Sequence, residues 1–177
     1  MAVYKEIVTK AVIGKGKKTS STNCQVIPEV VPDTVLGCWV INHEFRGSNN
    51  QGAARVDGGF DVNVWYSYEN NTKTGVASGH FDYSENMNLR LKNDSNITNN
   101  SEIIVRSLKH PTVTDVKIEN GIVKMKVDKE LGVEIVGDTM VKVSVEEDED
   151  DYEVIEDEIN EEDINIIDTD VDEDYLN

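Results

Sequence analysis

Apolar and polar residues alternate along most of the first 145 positions of this 177-residue chain. In GGFDVNVWYSY, residues 58 to 68, Phe60, Val62, Val64, Tyr66 and Tyr68 share one phase of a two-residue repeat, while Asp61, Asn63 and Ser67 take the other. An extended chain sends the two phases to opposite faces, so this stretch predicts a strand with one face in a core. Val123, Met125 and Val127 alternate in the same way, as do Val141, Val143 and Val145, Phe81 and Tyr83, and Met87, Leu89 and Leu91. Further β-rich runs lie at 4–13, 34–45, 103–108 and 113–118, and no window of helical period competes before the C-terminal tail. Turn chemistry separates the runs. Asn70-Asn71 and Asn120-Gly121 tolerate the positive φ of tight hairpins, Gly58-Gly59 reads as a bulge or bend, and 92–101 reads as a polar surface loop. About eight short strands at this spacing predict an all-β fold, a two-sheet antiparallel β-sandwich-like domain.

Two stretches break the simple pattern. Trp65 stands in the polar phase of its strand, and VLGCWVIN is apolar in both phases, with Val35, Trp39 and Ile41 on one side and Leu36, Cys38 and Val40 on the other. A strand apolar on both faces belongs in the middle of a sheet whose second face is also covered. The cover over Trp65 is either a lid from its own chain or another subunit, because a buried aromatic dominates whatever contact it joins. An exposed Trp without a role is the remaining reading.

Charge divides the chain. Residues 146–177 hold 18 of the 35 Asp and Glu and none of the 17 Lys and Arg, so the net charge of −18 belongs to this segment and the rest is balanced. We therefore read a β-rich domain over 1–146 and an acidic interaction tail over 147–177, disordered or partly helical. Within the tail, Tyr152, Ile155 and Ile159 are spaced among acids, and Ile164, Ile167, Val171 and Tyr175 would form one stripe on a helix. The tail is either a self-repelling solubilising brush or a segment that folds onto a basic, grooved partner. Balanced charge in the domain argues against nucleic acid as a partner, since Lys15, Lys17 and Lys18 form only a small basic cluster. MAVYKEIVTKAVIGKGKK has no apolar run of signal-peptide length and no segment reaches a membrane span, so we expect a protein made and kept in a cytosol, or carried out of a cell by a route other than secretion, without direct membrane insertion.

Chemistry-bearing motifs are sparse. His43, His80 and His110 are scattered, and there is no CxxC, HExxH or Gly-x-Ser-x-Gly. GKGKKTSS at 14–21 lacks the spacing of a phosphate loop and reads as a basic turn leaving the first strand. DTDVDE at 168–173 lacks the glycine and the terminal acid of a calcium loop. Cys24 and Cys38 read as small buried apolar side chains, with late cross-linking as the alternative. We expect no catalytic residues, no metal and no cofactor. An unrecognised hydrolase would need one of the three histidines to meet a carboxylate in a pocket.

YKEIVTKAVIGKGKK, LGCWVINHEF, GFDVNVWYSYENNTKT and EIVGDTMVKVSVE, followed by a terminal run of acids, resemble the outer spore-coat morphogenetic protein of endospore-forming bacteria, the CotE family. The likeness runs in order to about residue 146. It implies a non-enzymatic scaffold made in the mother-cell cytoplasm that ends between the inner and outer coat. Such a scaffold self-associates, docks on basement-layer coat assembly proteins and brings outer-coat proteins into place. The resemblance makes Trp39, Trp65, Tyr66 and Tyr68 candidate self-assembly or core aromatics, and the apolar tail residues Tyr152, Ile155, Ile159, Ile164, Ile167, Val171 and Tyr175 a candidate partner-binding set. The rival is a monomeric β-rich binding module, with Trp65 in a ligand cleft and the tail acting only as a solubiliser.

Overall fold

The alternating runs fold as strands, and the strands are longer than the runs that announce them. The computed structural model describes residues 3–92 and 95–145, and every element in it is a strand. These are β1 (Val3–Val26), β2 (Thr34–Asn50), β3 (Ala53–Tyr68), β4 (Lys73–Met87), β5 (Arg90–Leu91), β6 (Glu102–Glu119) and β7 (Ile122–Val145). They make two antiparallel sheets, a four-stranded one in the order β5-β1-β7-β6 and a three-stranded one in the order β2-β3-β4. Lys5–Val143 forms one compact unit and contains both cores. The candidate tail residues Tyr152, Ile155, Ile159, Ile164, Ile167, Val171 and Tyr175 lie outside the described residues.

Several expected strand pairs are single strands. The runs 103–108 and 113–118 belong to β6, whose register against β7 slips near Lys109, Thr112 and Lys117, so the bends hide its continuity. The runs around Val123 and Val141 are both β7, where the inward phase Val127, Lys129, Leu131, Val133 and Ile135 includes a lysine. GKGKKTSS is not a turn, because it lies wholly inside β1. Its small residues keep the two-residue period there, with Ser20 and Thr22 facing buried Lys129 and Thr19 and Ser21 meeting Glu130 and Asp128 on the other face.

Strand β2 also departs from expectation, since it is an edge of its sheet and not a central strand. Two register shifts against β3 insert an extra residue at Leu36 and another at Asn42-His43. The first changes the phase of the chain, so that Val35, Cys38 and Val40 all pack toward the core while Leu36, Trp39 and Ile41 are exposed. Apolar residues in both phases here record a bulge and an uncovered outer face. Gly58 and Gly59 sit in regular register within β3, and the bulge that their neighbourhood contains is on β2 opposite them.

The turns follow the residue chemistry. Asn120 and Gly121 have φ of 52° and 76°, and Glu69, Asn70 and Asn71 all have positive φ. Gln51 and Gly52, at 52° and 84°, close the β2–β3 hairpin. Between the sheets, Cys24 and Val26 of β1, Phe60, Val62 and Val64 of β3, and Val123, Met125 and Val127 of β7 form one core cluster. Ile13, Ala54, Val56, Met87, Leu131, Val133 and Ile135 form a second, and Tyr83 touches both.

Candidate functional site

Strand β3 is the centre of the three-stranded sheet, so its outward residues are flanked on both sides. Trp65 pairs with Gly37 of β2 and Val76 of β4, and Trp39 pairs with Asn63, which puts the two indoles diagonally on adjacent strands of one face. Gly37 lies between them, and a β-carbon there would only make ordinary contact with the Trp39 ring, at 3.8 Å. Trp65 is 44% exposed and Trp39 42%, with Leu36, Ile41 and Val76 exposed around them. Among the described residues no lid seals Trp65. Tyr66, on the opposite side of β3, is 4% exposed, and the half-buried Tyr68 ring lies 6.0 Å from it. The four aromatic candidates therefore divide into two outward indoles and two tyrosines that are buried or half-buried.

Beside this apolar patch lies a polar groove of about 960 Å³, lined by Asn42, Asp57, Gly59, Asp61, His80 and Asp82 among others. The β2 bulge puts Asn42 at φ 53°, where its amide donates to Asp61 at 2.8 Å. His80 Nδ1 lies 2.6 Å from Asp61 and Nε2 lies 3.1 Å from Asp82. Gly59 lies beneath them, where a β-carbon would meet Asp82 at 2.8 Å and the His80 ring at 3.2 Å and would push these side chains aside. The hydrogen bonds to Asp61 and Asp82 raise the pKa of His80, while those from Asn42 and His80 lower that of Asp61. A histidine does meet a carboxylate here, as a hydrolase would require. Both ring nitrogens are held by acids, however, which favours the charged form of the ring and leaves neither nitrogen free to act as a base.

The interior holds a polar cluster that no motif announces. Lys129 is wholly buried, bonded to Ser20 at 3.0 Å, 3.4 Å from Glu85, and 4.0 Å from the centre of the Tyr83 ring. Tyr83 in turn meets His43 Nε2 at 2.8 Å, and the His110 ring lies 5.7 Å from that of His43. Burial raises the Tyr83 pKa to about 12, and burial with the nearby His110 and Lys129 lowers that of His43 to about 4. At neutral pH a neutral imidazole and a protonated phenol therefore share this hydrogen bond. The signal in the sequence was Lys129 in the buried phase between Val127 and Leu131. Cys24 and Cys38 are free thiols against the first core cluster, and burial pushes Cys24 up to about 11.

The opposite face of the sandwich, on the four-stranded sheet, carries a second groove of about 660 Å³. Lys15 and Lys17 of β1, Arg90 of β5 and Arg106 of β6 surround it, with Leu89 and Leu108 in its lining. Gly132 of β7 lets Leu108 lie flat, because a β-carbon there would come within 2.9 Å of that side chain.

No curated protein and no solved structure matches this chain. The family model for outer spore coat protein E (CotE) matches residues 3–174, nearly the full length. The chain therefore belongs to the CotE family of outer spore coat proteins.

Proposed function

We propose that the protein is a non-enzymatic scaffold of the spore coat, made in the mother-cell cytoplasm and ending between the inner and outer coat. Copies associate through the outer face of the β2-β3-β4 sheet, the assembly docks on basement-layer assembly proteins, and the acidic segment 147–177 recruits outer-coat proteins. One observation carries this reading: Trp39 and Trp65 lie half exposed on one sheet face, ringed by Leu36, Ile41 and Val76. Aromatic anchors with apolar neighbours are the usual centre of a protein interface.

Magnitudes fix the kind of contact. An indole left half in water forgoes roughly 2–3 kcal/mol at about 25 cal/mol per Å². Two of them contribute about 5 kcal/mol, comparable with the lower end of the roughly 4–15 kcal/mol that association costs. A single aromatic contact is therefore weak, and a stable layer requires several contacts acting together. Light scattering on the purified protein tests the reading. A multimer that dissociates when Trp39 and Trp65 are both replaced by Ser is the expected result, and a wild-type monomer at micromolar concentration would overturn it.

A further inference from the structure

The acidic C-terminal segment calls for a basic groove with an apolar floor, and this chain carries one. We propose that the groove on the outer face of the four-stranded sheet receives the acidic segment, residues 146–177, of a neighbouring copy. The proposal rests on the self-association reading above and adds a second, different contact to it.

Charge complementarity selects the occupant. The groove sets Lys15, Lys17, Arg90 and Arg106 against the single carboxylate of Glu134. That carboxylate is 3.8 Å from Lys15 and 3.9 Å from Arg106, and among the described residues Lys17 and Arg90 form no ion pair. The segment brings 18 acids and no base. Its chemistry also matches the floor. Leu89 lines the groove and Leu108 is 52% exposed beside it, while Ile155, Ile159, Ile164 and Ile167 punctuate the acids. A nucleic acid could satisfy the cations but would leave the exposed Leu108 uncovered. An acidic peptide with spaced isoleucines satisfies both.

Assembly geometry favours a neighbour's segment. If the aromatic faces of two copies meet symmetrically, that contact is used up in a dimer. A groove that takes a different part of the next molecule is a head-to-tail contact, which need not close on itself and so can extend an assembly beyond the dimer. Each exposed ion pair contributes only about 0.2–1 kcal/mol and weakens with salt. The segment consequently exchanges, and stays available to other basic partners.

Zero-length carbodiimide cross-linking of full-length protein tests this, using an equal mixture of unlabelled and heavy-isotope-labelled chains. Mass spectrometry after chymotrypsin digestion is expected to find mixed-isotope links joining Lys15 or Lys17 to carboxylates in 146–177. The link between Lys18 and Glu85, whose side chains are 2.7 Å apart within one chain, reports that the chemistry and the fold are intact. Replacing Lys17→Glu, Arg90→Glu and Arg106→Glu together is expected to cut the mixed links to Lys15 about tenfold, as is half-molar salt, with the Lys18–Glu85 link retained in the variant. Links confined to single chains, or mixed links unchanged by the charge reversals, would overturn the proposal. Light scattering on the same sample separates the two readings: a multimer without groove links overturns this proposal alone, and a monomer overturns both.

Discussion

The ammonium of Lys129 sits 4.0 Å over the ring of Tyr83 and 3.4 Å from the carboxylate of Glu85, wholly out of contact with water. A buried cation is tolerable only when fully partnered, and Ser20 and Thr22 supply the remaining acceptors. Removing it leaves the Glu85 carboxylate, itself little exposed, with one cation fewer. Lys129→Ala should therefore destabilise the domain by about 3–5 kcal/mol. Lys129→Met, which fills the same space without a charge, should cost less. Denaturant unfolding of the two variants measures the difference, and equal losses would mean that the missing charge, not the lost volume, sets the cost at this position.

His43 makes the same cluster sensitive to acid. Its pKa is pushed down to about 4 by burial first and then by His110 and Lys129, whereas in the unfolded chain it titrates near 6.5. The unfolded state thus gains a proton as pH falls from 6.5 toward 4 and the folded state does not. The stabilisation is complete above 6.5 and is lost through that window, with a ceiling of about 3 kcal/mol. Unfolding free energies at pH 7.5 and pH 5 should differ more in the wild type than in His43→Phe. A variant as acid-sensitive as the wild type would remove His43 as the cause.

What the sequence showed and what it hid both follow from the period of two. Phe60, Val62, Val64 and Tyr66 share one phase in the sequence and are buried on one face in the fold. The hairpin at Asn120-Gly121 was equally visible, because positive φ restricts which residues can stand there. Strand β2 was misread, since a bulge residue at Leu36 shifts the phase and composition does not reveal a register slip. The continuity of β7 was hidden by Lys129, whose inward placement depends on Ser20, Thr22 and Glu85 from other strands. Both grooves were invisible, because Lys15, Arg90 and Arg106 meet only through pairing of distant segments. The outward position of Trp65 was legible, and its exposure was not.

Two glycines separate conformational strain from steric clash. Gly52 has φ +84° with nothing near an added β-carbon, so Gly52→Ala should cost about 1 kcal/mol through backbone strain alone. Gly58 has ordinary φ, but its β-carbon would sit 2.5 Å from the Glu44 carbonyl oxygen and from the Tyr83 hydroxyl. Gly58→Ala should cost about 1–3 kcal/mol, because the β2 backbone must move. Thermal unfolding of both variants ranks them, and a harmless Gly58→Ala would mean that β2 shifts freely at its bulge.

Neighbouring aromatics on β3 should respond in opposite ways. Tyr66 is 4% exposed, so truncation to Ala removes a packed ring and should lower stability by about 3–5 kcal/mol. Trp65, on the other face at 44% exposed, loses little folded-state packing when replaced by Ser. Trp65→Ser should leave the unfolding midpoint of the isolated domain close to wild type while lowering the mass seen by light scattering. The two measurements must be made on each variant at low and high protein concentration, since association itself raises apparent stability by mass action. If Trp65→Ser instead unfolds the chain at concentrations where the wild type is monomeric, its indole supports the sheet directly and the outer face loses its claim as the meeting surface.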